Sequence, residues 1–331
     1  MTVNSPYSGK PMQVVYEPDT WEMRGERYPY VHIAFRDEGT GEQFTTTESD
    51  MVCYDQVANQ YREKHGIPYT DEIVALRERY GVSATKMSLI LGFGTNQYRL
   101  YEMGEVPSES NGKMIRSAMN PNVFLDLVKS SRNQLTQRDF VKISARVEEV
   151  IETSKDKHAE QWEAMRLFRT GRSLANGFAP QSLDRLKNLL LYVLEQMGET
   201  FQTKMNKVLF YIDFLSYRER GMAISGLAYQ AMEFGPVPQR WDRVYSAFDE
   251  VEQQVRLLQG QECLALLPGD VADMQCFTAA EKAIVDKVCE KMKTMTSRVA
   301  SKMSHDEPAW KDYVGKPVTI PYSEAFSLVG V

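Results

Sequence analysis

Three side chains suited to reading DNA bases lie close together near residue 97. Asn96, Gln97 and Arg99 fall on one side of a predicted short helix whose other side carries Tyr98 and Tyr101. Asparagine and glutamine pair in a bidentate manner with adenine, and arginine does so with guanine. This arrangement is typical of a helix that sends polar side chains from its first turns to base edges.

Two predicted helices joined by a glycine turn position these residues. Ser83 is expected to cap the first helix, and Gly92-Phe93-Gly94 ends it. Thr95 is expected to cap the second helix, which runs through Glu102 and packs inward through Tyr98, Tyr101 and the flanking Leu100. The layout predicts a helix-turn-helix, although an ordinary α-hairpin with solvated polar residues is the alternative. The predicted DNA contacts are Ser83, Lys86, Thr95, Asn96, Gln97 and Arg99.

The charge balance restricts how such a module binds DNA. The chain has a net charge of -6, and between residues 69 and 131 seven basic side chains are matched by seven acidic ones. A neutral module lacks the excess of positive charge that drives non-specific binding to phosphates. We therefore expect a homodimer, formed through the N-terminal half, that binds paired half-sites with marked sequence dependence.

Length and composition set the broad class of protein. A chain of 331 residues exceeds one average domain, and its 43% hydrophobic content supports proper cores. The absence of a long apolar stretch and of an apolar signal core predicts a cytoplasmic protein with no membrane partner. The four cysteines contain no CxxC pair, so neither a disulfide framework nor a zinc site is expected.

Patterning along the chain predicts a mainly α protein, α+β overall, in four segments. Residues 1–67 form a small antiparallel β module, followed by a helix-turn-helix bundle at 68–132. Residues 133–181 hold a helix from Thr136 to about Arg169 and a linker at 170–182. A mostly helical domain occupies 182–331, where the predicted elements include a helix from Gln239 to about Val251, a weak hairpin and helices beginning near Thr278 and Ser297.

The C-terminal residues resemble the SocA-like Panacea family of antitoxin domains. Gly226, Tyr229 and Gly235-Pro236-Val237-Pro238 are similar to its Gly-x-x-Tyr and Gly-Pro-Val-Pro hallmark, and the run from Ser304 to Trp310 resembles its late signature. The resemblance covers about 150 residues. It implies a protein that binds and neutralises a toxin encoded beside it, frequently a toxic small alarmone synthetase.

The N-terminal half is similar to MqsA-type antitoxins, which join a β-rich zinc module to a helix-turn-helix. Asn96 falls at the position of that family's base-reading asparagine, but Leu100 stands where an arginine is usual, with Arg99 one position earlier. Ser5-Pro6-Tyr7-Ser8 and the segment from Arg36 replace the two CxxC motifs. Because serine cannot replace a thiolate ligand, the expected module is metal-free, with Tyr16, Trp21, Tyr28, Tyr30 and Phe35 as its core.

Several residues allow more than one interpretation. His305 beside Asp306 and Glu307 could suggest a catalytic or metal site, but consecutive residues do not share a helix face, and capping or packing is favoured. Trp310 fits an interface or a core equally well. The Gly-Pro-Val-Pro turn either fixes a helix entry angle or presents a rigid contact patch. The predicted toxin contacts are Tyr229, Phe234, Gly235, Pro236, Val237, Pro238 and Trp310.

The sequence therefore predicts a non-enzymatic antitoxin with no cofactor, no metal and no catalytic residue. Its helix-turn-helix is expected to bind operator DNA and its C-terminal domain a cognate toxin. The first alternative is a ligand-responsive transcriptional repressor without a toxin partner. The second is an enzyme of unknown type that uses His305, for which no P-loop, Rossmann or GxSxG motif offers support.

Overall fold

The chain folds into two compact units. The computed structural model describes residues 3–154, 158–168, 170–258 and 260–331. We call Met1–Val57 together with Trp162–Val331 the mixed unit, and Ala58–Gln161 the helical unit. This division differs from the four predicted segments, because the N-terminal strands group with the C-terminal half of the chain.

The elements up to residue 168 are three strands and eight α-helices within the described residues. They are β1 (Gln13–Met23), β2 (Glu26–Arg36), β3 (Gln43–Phe44), α1 (Thr47–His65), α2 (Thr70–Tyr80), α3 (Ala84–Ile90), α4 (Gln97–Glu102), α5 (Glu109–Ala118), α6 (Pro121–Ser130), α7 (Gln137–Ser154) and α8 (His158–Phe168). A short 3-10 helix at Arg132–Gln134 separates α6 from α7.

The elements after residue 168 alternate between helices and short strands. They are α9 (Leu183–Met197), β4 (Thr200–Phe201), α10 (Gln202–Arg220), β5 (Tyr229–Met232), β6 (Gly235–Pro238), α11 (Trp241–Val244), β7 (Val251–Leu258), β8 (Gln261–Pro268), α12 (Ala279–Met292), α13 (Ser297–His305), α14 (Pro308–Lys311) and β9 (Thr319–Ile320). Further 3-10 helices lie at Leu174–Asn176 and Tyr322–Ser327. The predicted fold class, mainly α and α+β overall, is confirmed.

The helical unit is built on one apolar core shared by α2 to α7. Tyr98 and Tyr101 of α4 are buried in it, and the Tyr98 hydroxyl donates to the carbonyl oxygen of Ile73 at 2.7 Å. Ser83 caps α3 as predicted, since its hydroxyl accepts a hydrogen bond from the amide of Lys86. These contacts fix which sides of α3 and α4 face the solvent.

Two local predictions in this unit are wrong. Thr95 does not cap α4, because the helix begins at Gln97 and the Gln97 amide closes a turn onto the Gly94 carbonyl at 2.9 Å. Asn96 holds the cap position without a side-chain capping bond. Leu100, expected to pack inward, is 42% exposed because the two tyrosines fill the core below α4.

The long helix predicted after Thr136 is helical over most of its length. Thr136 begins α7, since its hydroxyl accepts a hydrogen bond from the Asp139 amide at 3.1 Å. Helix is present in the described ranges Gln137–Ser154 and His158–Phe168. Residues 155–157 and 169, which the prediction also covered, lie outside the described residues.

The central element of the mixed unit is α10, in which every residue from Lys204 to Tyr217 is buried. Helices α12 and α13 pack against it, as do strands of the antiparallel sheets ordered β4-β8-β7 and β6-β5-β9. Because water does not reach α10, its polar side chains must find partners in the protein. The Asp213 carboxylate accepts hydrogen bonds from the amides of Ile224 and Ser225 at 2.9 and 2.8 Å, from the Ser225 hydroxyl, and from the Tyr229 hydroxyl at 2.6 Å.

The β1-β2-β3 sheet is covered partly by C-terminal residues, which explains why it belongs to the mixed unit. The ring centroids of Tyr16 and Phe326 lie 5.4 Å apart. Of the predicted aromatic core, Tyr28 and Phe35 are buried, whereas Trp21 is 38% exposed. A sheet with one apolar face gains stability by burying it against another layer, here the 3-10 helix at residues 322–327.

The segment at 170–182, predicted to be a linker, packs into the mixed unit. Phe178 is fully buried, and the Arg172 guanidinium holds its carbonyl oxygen through hydrogen bonds of 2.9 and 2.7 Å. Gly177 adopts a positive φ of 58°, and a Cβ there would overlap the ring of Tyr322. Glycine, serine and proline in this segment therefore serve a tight turn and not a flexible connection.

The region from residue 226 to 251 also differs from its prediction. The interruption after α10 is an antiparallel hairpin of β5 and β6, in which Tyr229 pairs with Pro238. The helix predicted from Gln239 to about Val251 is helical only at Trp241–Val244. Tyr245 follows as the C-terminal cap residue of this short helix, and its hydroxyl donates to the Asn206 side chain at 2.6 Å inside the core.

We expect Asp213→Ala to lower the free energy of unfolding by about 3–5 kcal/mol, because it leaves the donors around the carboxylate buried without an acceptor. Chemical denaturation followed by circular dichroism measures the change. Asp249→Ala is the matched control, since Asp249 is exposed and should change stability by less than about 0.5 kcal/mol. If Asp213→Ala lowers the free energy of unfolding no more than the control does, Asp213 is not a stabilising acceptor in the core.

Candidate functional site

The predicted DNA contacts lie on the outward sides of α3 and α4. Two of the six are engaged in local structure: Ser83 caps α3, and the Lys86 ammonium forms an ion pair with the Asp139 carboxylate at 2.6 Å. That pairing lowers the pKa of Asp139. Both residues therefore stabilise the unit.

The remaining four predicted contacts are grouped at the start of α4. Gln97 donates from its side-chain amide to Glu105 at 3.0 Å. Thr95, Asn96 and Arg99 are exposed, and their side chains make no hydrogen bond within the part of the chain that the structure describes. We call Thr95, Asn96, Gln97 and Arg99 the α4 surface; it offers an amide and a guanidinium to an external acceptor.

The second candidate surface is the tip of the β5–β6 hairpin. Met232 pairs with Gly235, so Glu233 and Phe234 form a two-residue loop. Gly235 has a positive φ of 107°, which this turn requires and which side-chain-bearing residues rarely adopt. Phe234 is 66% exposed and Met232 is 48% exposed. The hairpin thus projects apolar side chains into solvent.

A buried lysine fixes the hairpin on α10. The Lys207 ammonium donates to the carbonyl oxygen of Pro236 at 3.2 Å, and the residue is fully buried. Burial lowers its pKa from 10.5 to about 7. A Cβ at Gly235 would overlap the Lys207 side chain and the Ser304 hydroxyl, so glycine permits this close approach.

Trp310 connects α14 to the hairpin. Its indole N–H donates to the carbonyl oxygen of Met232 at 2.8 Å, and its ring stacks on His305 with centroids 4.1 Å apart. His305 is therefore a packing partner of the tryptophan. We call Met232, Phe234 and Trp310 the hairpin surface.

The other predicted toxin contacts lie inside the mixed unit. Tyr229 is fully buried, and the four residues from Gly235 to Pro238 are buried as well. A partner cannot reach these side chains in this conformation. They set the position of Phe234, which is the exposed member of that stretch.

A buried glutamate fixes the last residues of the chain near this site. The Glu307 carboxylate accepts hydrogen bonds from the amides of Val329 and Gly330 at 2.9 and 2.8 Å. It also lies beside Tyr211, whose hydroxyl pKa is raised chiefly by burial. Glu307 therefore serves as an acceptor inside the fold.

Sequence reasoning missed Lys207, Asp213 and Ser225, which position the hairpin, and Met232 of the hairpin surface. One signal was present, because Lys207 and Asp213 interrupt a run of α10 that is otherwise largely apolar. Charged residues are rarely buried unless they have partners, so their position within such a run marks an internal polar contact.

Neither a metal centre nor a membrane span is found in the described parts of the chain. In residues 3–154, 158–168, 170–258 and 260–331, histidine, cysteine and carboxylate side chains form no cluster of three or more that could hold a metal ion. None of the helices within these ranges is long and apolar enough to cross a bilayer.

Comparison with protein families gives a match in the C-terminal part of the chain. Residues 205–311 match the family model described as antitoxin SocA-like, Panacea domain. The match begins within α10, includes the hairpin and ends just after Trp310. It supports an antitoxin role in general and favours a regulatory, non-enzymatic protein. Comparison with curated proteins and with solved structures found no match.

The buried lysine predicts a pH dependence of stability. Between about pH 7.5 and 9.5 the unfolded chain binds a proton at Lys207 that the folded chain has released, so the contribution of Lys207 to the free energy of unfolding should rise with pH. Lys207 contributes at most about 1.4 kcal/mol per pH unit to the slope of the free energy of unfolding against pH. Urea unfolding across this range should give a smaller slope for Lys207→Met than for the unsubstituted chain.

Lys302→Met on α13 is the control for this measurement, because Lys302 is exposed and should leave the slope unchanged. Equal slopes for Lys207→Met and the unsubstituted chain would show that Lys207 keeps an ordinary pKa in the fold.

Proposed function

We propose that this protein is the antitoxin of a two-gene toxin–antitoxin system. Its mixed unit binds and neutralises a cognate toxin protein, and its helical unit binds operator DNA and represses the operon. The observation that carries the proposal is the match of residues 205–311 to an antitoxin domain whose matched part contains the exposed hairpin surface. Both activities place the protein in the cytoplasm.

Toxin binding is assigned to the hairpin surface on physical grounds. Phe234 and Met232 are exposed apolar side chains on a short, well-anchored hairpin. A rigid contact loses little conformational entropy on binding, and aromatic anchors commonly dominate the energy of an interface. Neutralisation then requires only that the antitoxin cover the toxin's active site or block its substrate. A toxic small alarmone synthetase remains the partner class that the sequence resemblance suggests.

DNA binding is assigned to the α4 surface. Asn96 and Arg99 are exposed and suit adenine and guanine, respectively, and their helix is braced by two buried tyrosines. The α4 surface carries one positive charge, that of Arg99, and Lys86 on α3 is neutralised by Asp139. Specific base contacts must therefore supply most of the affinity, which favours binding as a dimer to paired half-sites.

We expect Phe234→Asp to weaken toxin binding at least about thirtyfold, because a charge replaces the apolar anchor at the centre of the contact. The measurement combines pulldown of the protein encoded by the adjacent gene with rescue of growth when both are co-expressed. Val271→Asp is the control, since Val271 is 79% exposed in the same unit and lies outside the hairpin surface.

Rescue by Phe234→Asp equal to that by Val271→Asp would refute the hairpin assignment. A chain that neither binds nor rescues in its unsubstituted form would instead favour a ligand-responsive repressor.

For DNA, we expect Asn96→Ala and Arg99→Ala each to weaken binding to the promoter of the protein's own operon about tenfold or more, while neutralisation is retained. An electrophoretic mobility shift assay with competitor DNA measures the loss. Lys113→Ala on α5 is the control, because Lys113 is an exposed basic residue of the same unit that is not part of the α4 surface. An equal loss of DNA binding in all three variants would exclude base reading by α4.

A further inference from the structure

Strand β7 leaves one side of its sheet open. The sheet is ordered β4-β8-β7, and β7 pairs with β8 along its full length, from Val251 opposite Pro268 to Leu258 opposite Gln261. On its other side β7 meets no strand within the described residues. The amide and carbonyl groups of every second residue of β7 therefore point to an open edge, which is a template for another strand.

Two other edge strands of the structure, β1 and β6, carry prolines that hinder strand addition, whereas β7 does not. Strand β1, the edge of the N-terminal sheet, carries Pro18 near its middle, and β6 carries Pro236 and Pro238. Proline lacks an amide hydrogen and interrupts pairing along an edge. Strand β7 contains no proline, so nothing in its backbone prevents a further strand from adding to it.

The same edge exposes apolar side chains on one face. Val255 is 60% exposed and Leu257 is 73% exposed. They are two residues apart, so their side chains point to the same side of the sheet. A free edge with exposed apolar residues is the usual site of strand addition in a folded protein.

The charges on the opposite face are self-complementary. Glu252 is exposed and forms no ion pair within the described part of the chain. Arg256 binds the Glu199 carboxylate through Nε and Nη2 at 3.0 and 3.2 Å, which leaves Nη1 available. When β7 is laid antiparallel on itself about Gln254, each Glu252 falls opposite an Arg256. Opposite charges placed directly across two strands stabilise the pairing.

We propose that β7 pairs antiparallel with β7 of a second copy of this chain, with the two-fold axis at Gln254. The result is a continuous six-stranded sheet across two mixed units. In this register Leu257 of one copy lies opposite Val251 of the other, and Val255 lies opposite Gln253. Val255 and Leu257 of both copies then lie on the same face of the joined sheet.

The sequence predicted a homodimer through the N-terminal half, and the present proposal places the two-fold contact at β7 instead. The hairpin surface takes no part in it, so toxin binding and pairing of β7 fail independently of each other. The same two-fold contact brings two helix-turn-helix units into one assembly, as binding to paired half-sites requires.

The first test is the mass of the full chain in solution, measured by sedimentation equilibrium at micromolar concentration. The unsubstituted chain should have twice the 37.9 kDa chain mass. Glu252→Lys places like charges opposite each other twice, and should raise the dimer dissociation constant about tenfold or more. Leu257→Lys should act in the same direction. Glu262→Lys, an exposed glutamate on the inner strand β8, should leave the dimer intact.

The second test fixes the register by disulfide cross-linking. Residues directly opposite in an antiparallel pair have Cα atoms about 4.5 to 5.5 Å apart, within the range that a disulfide spans. Gln254→Cys should therefore cross-link two copies under mild oxidation, in a background where Cys263 and Cys276 are serine. Glu252→Cys should not, because its opposite residue is Arg256.

A monomeric unsubstituted chain would overturn the proposal. So would a dimer whose dissociation constant is unchanged by both Glu252→Lys and Leu257→Lys, a result that points to an interface in the N-terminal half. Equal cross-linking at residues 252 and 254 would exclude this register. Loss of toxin binding in Glu252→Lys, with a monomeric chain throughout, would assign the edge to a toxin strand.

Discussion

The burial of α10 on all sides is the constraint on which the mixed unit depends. A helix buried over fourteen consecutive residues, from Lys204 to Tyr217, cannot turn its polar side chains to water. Each of them requires an internal partner, or the desolvation of that group destabilises the fold. The partners are supplied by the segments that surround the helix. The Asp213 carboxylate accepts a hydrogen bond from the Ser225 amide in the loop after α10. The Asn206 side chain accepts one from the Tyr245 hydroxyl, and the Lys207 ammonium donates one to the carbonyl oxygen of Pro236.

The need for internal partners of the polar side chains of α10 also determines where the β5–β6 hairpin lies on the surface. The segment from Ser225 to Pro238 is fixed at both ends, by Asp213 at one and by Lys207 at the other. A loop held in this way presents Phe234 in a single position, which is how a short hairpin can serve as a binding surface. The prolines of β6 have a further effect, since they prevent strand addition at the hairpin edge and leave β7 as the edge suited to pairing.

Local signals in the sequence predicted the local structure well. Ser83 and Thr278 were predicted to begin helices, and both accept the amide hydrogen bonds of a helix cap. The hairpin of β7 and β8 was also predicted, because strand patterns and a glycine turn lie together in sequence. Where the prediction was wrong, distant residues decided the conformation. Burial of Phe178 turned an apparent linker into core, and the helix predicted from Gln239 is limited to Trp241–Val244, beside which Tyr245 bonds to Asn206 in the core.

The candidate sites could be predicted only in part, because contacts between residues distant in sequence also shape them. Asn96 and Arg99 were identified because their helix is amphipathic, a property visible in a few residues. The hallmark residues Gly226, Tyr229 and Pro236 identified the domain, but they are buried and serve its fold. At Gly226 the backbone has a φ of 78°, and a Cβ would meet the Pro180 carbonyl oxygen. The residues that hold the hairpin from below, Lys207 and Asp213, became apparent only once their partners were brought together in space.

Hydrogen exchange across the full chain, read by mass spectrometry, tests most directly whether α10 fixes the hairpin. Amides of α10 and amides of the segment from Ser225 to Pro238 should exchange together, in the slowest class of the mixed unit. Rapid exchange of that segment beside a well-protected α10 would contradict the account, since it would mean that the hairpin moves independently of the helix beneath it.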